Sequence, residues 1–199
     1  MSRIRIRDLF CLAVLVAIVG CDEKNLPETK DILNSFEMEI DDVVWTSPLI
    51  NGDSCYSTFY CDYHGLEDSQ TYTIHADGSP AETNDTGADD FLRLRIAFVE
   101  GPGTYYLTDP EESLISSCVL LIRTRNGEST FYRNVEGDFR NVVTIEEMMP
   151  SYNLSIDGIR GVFSGVLFNI DNPNDSVVIE NGHFNFEYMM GTNYYRCSY

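Results

Sequence analysis

Beyond residue 35 the apolar and polar positions of this chain alternate with a period of two, the pattern of half-buried β-strands. Phe36, Met38 and Ile40 alternate with Glu37, Glu39 and Asp41, which predicts a strand with one wet, acidic face. Over 91–100, Leu92, Leu94, Ile96 and Phe98 are expected to face inward, with Arg93 and Arg95 opposite. Phe184, Phe186 and Tyr188 alternate strictly with His183, Asn185 and Glu187. The stretch 156–169 differs: Val162, Val166, Phe168 and Ile170 share one face while Phe163 and Leu167 take the other. Apolar groups on both faces imply a strand covered on both sides, or nearly so. Gly161 and Gly165 interrupt that run and predict a bend or the close approach of another backbone.

Turn chemistry punctuates these runs. Asn126-Gly127 between two β-rich stretches is the strongest short hairpin signal. Asp41-Asp42, Gly101-Pro-Gly103 and Asn172-Pro-Asn-Asp-Ser176 supply further breaks. Ser54–Tyr63, Gln70–His75, Thr104–Leu107, Leu114–Arg125, Ser129–Arg133 and Asn141–Ile145 read as strands, and Trp45 as core. Asp77-Gly78 ends one strand, and Glu146–Met149 suits a helical turn before Pro150. Roughly ten strands and no long helix predict an all-β fold, an antiparallel β-sandwich or flattened barrel.

The first twenty residues break the pattern. Arg3, Arg5 and Arg7 precede an apolar run from Leu9 to Gly20, shorter than the roughly 20 residues of a membrane span. The run ends Ile18-Val-Gly-Cys21, which resembles the lipobox of bacterial lipoproteins, with the Cys21 thiol as the acyl acceptor. Residues 1–20 are therefore expected to be a lipoprotein signal peptide, and 21–35 a lipidated cysteine with a flexible linker. Two or more acyl chains hold a protein stably at a membrane where one does not. Asp22-Glu-Lys24 looks like the acidic tag of surface lipoproteins. The expected address is the outer membrane, on its periplasmic or cell-surface side. The leader holds three Arg and one Asp, so setting it aside takes the net charge from −19 to −21. So acidic a surface disfavours nucleic acid as a partner. Residues 36–199 fit a single β domain with a real core.

At Phe36-x-Met-x-Ile-Asp-Asp-x-x-Trp45, Gly103-Thr-Tyr-Tyr-Leu107 and Ile159-x-Gly-x-Phe163 with Val177-x-Ile-x-x-Gly-x-Phe184, the chain resembles the small, uncharacterised all-β lipoproteins of Bacteroidota. Asp42 stands where that family usually has glycine, which leaves the type of the first turn open. The resemblance implies a fold and a location, and carries no activity.

Candidate chemistry is sparse. Cys55, Cys61, Cys118 and Cys197 are possible disulfide partners in an exported compartment, or core thiols. On one straight strand Cys55 and Cys61 would sit about 20 Å apart, so each would need another partner. No Cys-x-x-Cys or His-Glu-x-x-His spacing suggests a metal site, and no cofactor motif is present. Asp85, Asp89 and Asp90 are weak Ca²⁺ candidates, as are Asp171, Asn172, Asn174 and Asp175, although solvated loops explain both clusters. His64 and His75 are expected at strand ends and His183 on a wet face. Ser164 lies in a strand and does not fit a nucleophile elbow. Arg93/Arg95 and Arg123/Arg125 are expected to pair with glutamates across strands, or else to grip an anion. Tyr56, Tyr60, Tyr63, Tyr105, Tyr106, Tyr194 and Tyr195 offer contact area with a hydroxyl, suited to glycans or proteins, when they are not filling the core. The expectation is a lipid-anchored binding or assembly module, held to the membrane by acyl chains on Cys21 and meeting a glycan or an envelope protein. The alternative is an envelope enzyme acting on glycans through paired carboxylates.

Overall fold

A computed structural model describes residues 34–46, 49–50, 55–66, 69–80, 89–111, 113, 115–190 and 194–195, all within the compact unit Ile32–Tyr199. Cys21, Asp85 and Cys197 lie outside the described residues. The described strands are β1 (Asn34–Ile40), β2 (Val43–Thr46), β3 (Leu49–Ile50), β4 (Cys55–Ser57), β5 (Phe59–Leu66), β6 (Ser69–Pro80) and β7 (Asp89–Ile96). There follow β8 (Gly103–Tyr106), β9 (Cys118–Arg125), β10 (Glu128–Arg133), β11 (Val142–Pro150), β12 (Asp157–Asn169), β13 (Ser176–Phe186) and β14 (Tyr194–Tyr195).

Eleven of these form one antiparallel, curled sheet in the order β10-β9-β7-β6-β2-β1-β13-β12-β11-β8, with β5 lying beside β6. The sheet closes on itself because β10 rejoins β12 through Tyr132↔Asn169 and Arg133↔Phe168. Closure is possible because β12 is long. Its first part pairs with β11 up to Val142↔Ser164, and its last residues pair with β10. Of the sandwich and barrel alternatives, the closed sheet selects the barrel. A separate small sheet joins β14, β4 and β3.

Local chemistry explains the hairpins. Between Ile40↔Val43 stand Asp41 and Asp42, with φ of 53° and 63°. Both central residues are left-handed, which defines a type I′ turn and settles the turn left open by the missing glycine. Asp41 is tied down from outside, since its N–H donates to the Val178 carbonyl at 2.9 Å and its Oδ1 accepts from the Val178 N–H at 2.9 Å. Asn126-Gly127 makes the same turn between Arg125↔Glu128.

The interior is aromatic and aliphatic. Phe36 meets Trp45 edge-on at 5.9 Å and stacks on Phe163 at 5.5 Å, while Leu92, Leu94, Leu121 and Ile145 fill the rest. Only one face of β12 is fully covered, so the two-sided burial expected from its pattern is met in part. Ile159, Phe163 and Leu167 are buried inside, whereas Val162, Val166 and Phe168 are half-buried outside and Ile170 is exposed. Gly161 and Gly165 are close-approach positions, because a Cβ there would run into the Thr144 carbonyl and the Asn141 side chain.

Four local expectations are corrected. Phe98 does not face inward: β7 ends at Ile96, and Phe98 adopts φ 58° and is exposed. That kink inverts the alternation and buries Val99, whose N–H donates to the Gln70 carbonyl at 2.8 Å. Glu146–Met149 is strand, not helical turn, because β11 passes a bulge after Ile145 and continues pairing from Glu147↔Arg160 to Pro150↔Asp157. Asp77-Gly78 does not end β6, which runs on to Pro80 and places His75 mid-strand. Cys55 and Cys61 do not share a strand, lying on β4 and β5.

Candidate functional site

Along its length β12 changes partner from β11 to β10, and residues 134–141 connect those two strands. This segment is pinned at several points. Asn134 is buried, with Oδ1 accepting from the Val119 N–H at 2.9 Å and Nδ2 donating to the Leu107 carbonyl at 2.9 Å. Gly137, at φ 72°, donates its N–H to the Thr108 carbonyl at 2.9 Å. Asp138 receives Arg140 through Nε at 3.0 and 3.1 Å and through a terminal nitrogen at 2.6 Å. Those bonds hold the Asp138 carboxyl below its ordinary range. The Arg140 guanidinium in turn lies 5.3 Å from the centre of the Phe168 ring.

Over this seam opens a cleft of about 520 Å³, a ligand-pocket size. Val135, Phe168, Ile170, Pro110 and Pro173 give it apolar walls, and Arg133, Glu136, Asp138 and Arg140 supply charge. Arg133 is exposed and forms no ion pair among the described residues. Apolar surface continues outward: Val135 and Ile170 are 47% and 46% exposed, and Phe139 is 66% exposed with Tyr106 packed edge-on against it at 5.4 Å. Its carboxylates are Glu136 and Asp138, and Asn134 and Asn169 complete the polar lining.

The arginine pairs singled out by sequence lie elsewhere. Arg123 and Arg125 meet aspartates, not the expected glutamates. Both oxygens of the fully buried Asp90 accept from Arg125, at 2.5 and 3.1 Å, while Arg123 lies 3.8 Å from Asp90 and 3.4 Å from Asp41. Across the sheet, Arg95 is buried, donating from Nε to Thr73 Oγ1 at 3.4 Å and from a terminal nitrogen to the Ser113 carbonyl at 2.7 Å. Arg123 and Arg125 are thus neutralised within the protein, which disposes of their gripping an anion.

Among the described residues, the other candidates do not line the cleft. Asp89 is exposed, and Asp90 is spent on Arg125, so the described part of the Asp85/Asp89/Asp90 cluster does not converge. Asp175 accepts from the Tyr132 hydroxyl at 3.0 Å and from Asn169 Nδ2 at 2.8 Å. Among the described residues no group of His, Cys, Asp and Glu is placed to hold a metal ion. His75, expected at a strand end, is half-buried in mid-strand, stacked on Tyr60 at 4.6 Å with its Nε2 3.5 Å from Asp62. Burial pulls its pKa down, against the opposing pull of Asp62, and Arg93, Arg95 and His64 add to the lowering. His64 and His183 are exposed.

Cys61 and Cys118 stand as buried thiols. They are three strands apart across β5, β6, β7 and β9, about 14 Å, which is beyond the reach of a disulfide. Cys55 pairs through its backbone with Tyr195, and its side chain lies outside what is described, as does Cys197. Of the tyrosines expected on the surface, Tyr106 is exposed, Tyr63 and Tyr105 pack partly on the core, and Tyr60 covers His75. The side chains of Tyr56, Tyr194 and Tyr195 lie outside the described residues. Sequence reasoning missed Arg133, Arg140 and Phe168 as neighbours, because the long-range pairing of β10 with β12 brings them together. Asp138-x-Arg140 was the one local trace, an acid and a base two residues apart beside an exposed aromatic.

No curated protein and no solved structure matches this chain. Residues 33–187, which include every strand of the closed sheet, match the family described as "Domain of unknown function (DUF5025)". The chain belongs to that family.

Proposed function

We propose that this protein is a lipid-anchored cell-envelope lipoprotein of the Bacteroidota kind, acylated at Cys21, whose β domain works as a binding module through the cleft at the β10–β12 seam. The anchor is supported by the basic n-region, the short apolar run and Ile18-Val-Gly-Cys21. The binding role is carried by the cleft, which combines a pinned segment, exposed apolar side chains and charged lining residues. A preformed concave site needs no ordering on contact, so less of the contact energy is lost when it is filled.

Labelling cells with an alkyne palmitate and fractionating them tests the anchor. Wild-type chain should carry the label and remain with membranes after a high-salt wash, and Cys21→Ser should lose both properties. Crosslinking on intact cells, with and without Ile170→Asp, tests the binding surface. Partners unchanged by Ile170→Asp would remove the cleft from the reading. Steady turnover of a glycoside that is lost on changing one carboxylate would replace a binder with an enzyme.

A further inference from the structure

We infer that the seam cleft takes a small amphiphilic acid, a single carboxylate or sulfate on an aliphatic or aromatic body, with Arg133 meeting the anionic head. The inference deepens the binding role proposed above and rests on the cleft being the binding site.

Three features of the cleft converge on that chemistry. Its walls are apolar at Val135, Phe168, Ile170, Pro110 and Pro173, and they continue into exposed apolar surface. Against those apolar walls the hydroxyls of a polyhydroxylated ligand would lack partners, whereas a hydrocarbon body is removed from water. The charges are not equivalent. Asp138 already occupies Arg140, whose ring-side face is spent on Phe168, so Arg133 is the cation left to a ligand. A guanidinium is a planar fork that matches a carboxylate or sulfate with two parallel hydrogen bonds. Glu136, exposed and lining the same cleft, sets the limit. It would repel a second negative charge on the ligand and so favours a monoanion over a polyanion.

Selectivity for an acid must also be local. The chain carries a net charge of −19, and its long-range field repels anions, so no electrostatic steering assists the encounter. An acid that binds such a protein better than a cation with the same tail can do so only through a specific contact. That comparison is therefore a strict test.

The experiment uses the full chain carrying Cys21→Ser, so that no acyl group of its own competes for the cleft. Dodecanoate and 2-naphthoate are titrated calorimetrically below any micelle concentration, with dodecylammonium and dodecyl maltoside as controls sharing the dodecyl tail. Dodecanoate should bind saturably with one site, about tenfold or more tighter than either dodecyl control. Arg133→Met should weaken dodecanoate by about tenfold or more, and Arg133→Lys should retain part of the affinity, a point charge replacing a fork. Both Arg133 and Ile170 are exposed, so Arg133→Met, Arg133→Gln and Ile170→Asp are expected to keep the wild-type unfolding midpoint while losing dodecanoate. Lack of saturable binding by both acids would overturn the inference, as would unchanged affinity in Arg133→Met and Arg133→Gln. Equal binding of dodecyl maltoside, or binding of a neutral glycan lost in Ile170→Asp, would overturn the acid and leave the binding module standing.

Discussion

Replacing Phe163 by alanine should be among the most damaging single changes in the barrel. Phe163 lies on β12, 5% exposed, with its ring stacked on Phe36 at 5.5 Å and tilted against Phe184 at 6.4 Å. Beneath it is Gly182, where even a Cβ would collide with the ring. Truncating a buried phenylalanine to alanine costs about 3–5 kcal/mol, through lost transfer energy and the cavity left behind. The upper half of that range is expected here. Phe36 and Phe184 are held on β1 and β13 by strand pairing on both sides, and Gly182 has no side chain to swing into the void. Against a total of about 5–15 kcal/mol such a loss is large. It corresponds to a fall of roughly 6–20 °C in Tm for a domain of this size. Urea unfolding followed by circular dichroism measures it, as a lower midpoint at unchanged slope. Phe139→Ala is the control, since Phe139 is 66% exposed and its loss should stay within about 0.5 kcal/mol. A Phe163→Ala midpoint shift worth less than about 1 kcal/mol would refute the argument, because it would mean that the ring does not fill the space between β1, β12 and β13.

Other perturbations probe other parts of the fold. Asp90→Ala strips the buried carboxylate from Arg125 and Arg123 and should cost roughly 2–4 kcal/mol, less than a fully buried pair because Arg125 keeps 30% exposure; a urea midpoint equal to wild type would show that those guanidinia need no buried anion. His75 has its folded pKa pulled below the ordinary 6.5, chiefly by burial, so the folded state resists its protonation. Its share of stability is therefore complete above the unfolded pKa and is lost as pH falls from there through the lower folded value. An NMR titration should show the depressed midpoint, and His75→Gln should lose less stability than wild type between pH 7 and pH 5; equal losses would contradict the sign. Burial also pushes the Cys61 thiol well up, so Ellman's reagent at pH 8 should leave it unmodified until the chain unfolds. Rapid native labelling of Cys61 would show that β5 opens readily.

How far the sequence reached follows from the range of the interactions involved. Strand identity was legible wherever one face is core and the other water, because alternation records burial directly: Phe36, Met38 and Ile40 are buried between wetter neighbours, and so are Phe184 and Phe186. The Asn126-Gly127 hairpin was legible because left-handed φ at two successive positions demands particular residues. Legibility stopped where a non-local partner outweighed local preference. Glu146–Met149 became strand because β12 lay alongside to pair with it, and Phe98 left the core because Val99 is tied to Gln70, a partner far away in sequence.

The sequence by itself therefore determined the all-β class, the turns and most of the core, since each depends on residues within a few positions of one another. Only the tertiary structure decided that the sheet closes, because closure depends on Tyr132 and Arg133 finding Asn169 and Phe168 across some thirty-five residues of chain. That single pairing also makes the cleft. It turns Arg133, Arg140 and Phe168 from three unremarkable surface positions into neighbours, which no periodicity of apolar residues encodes.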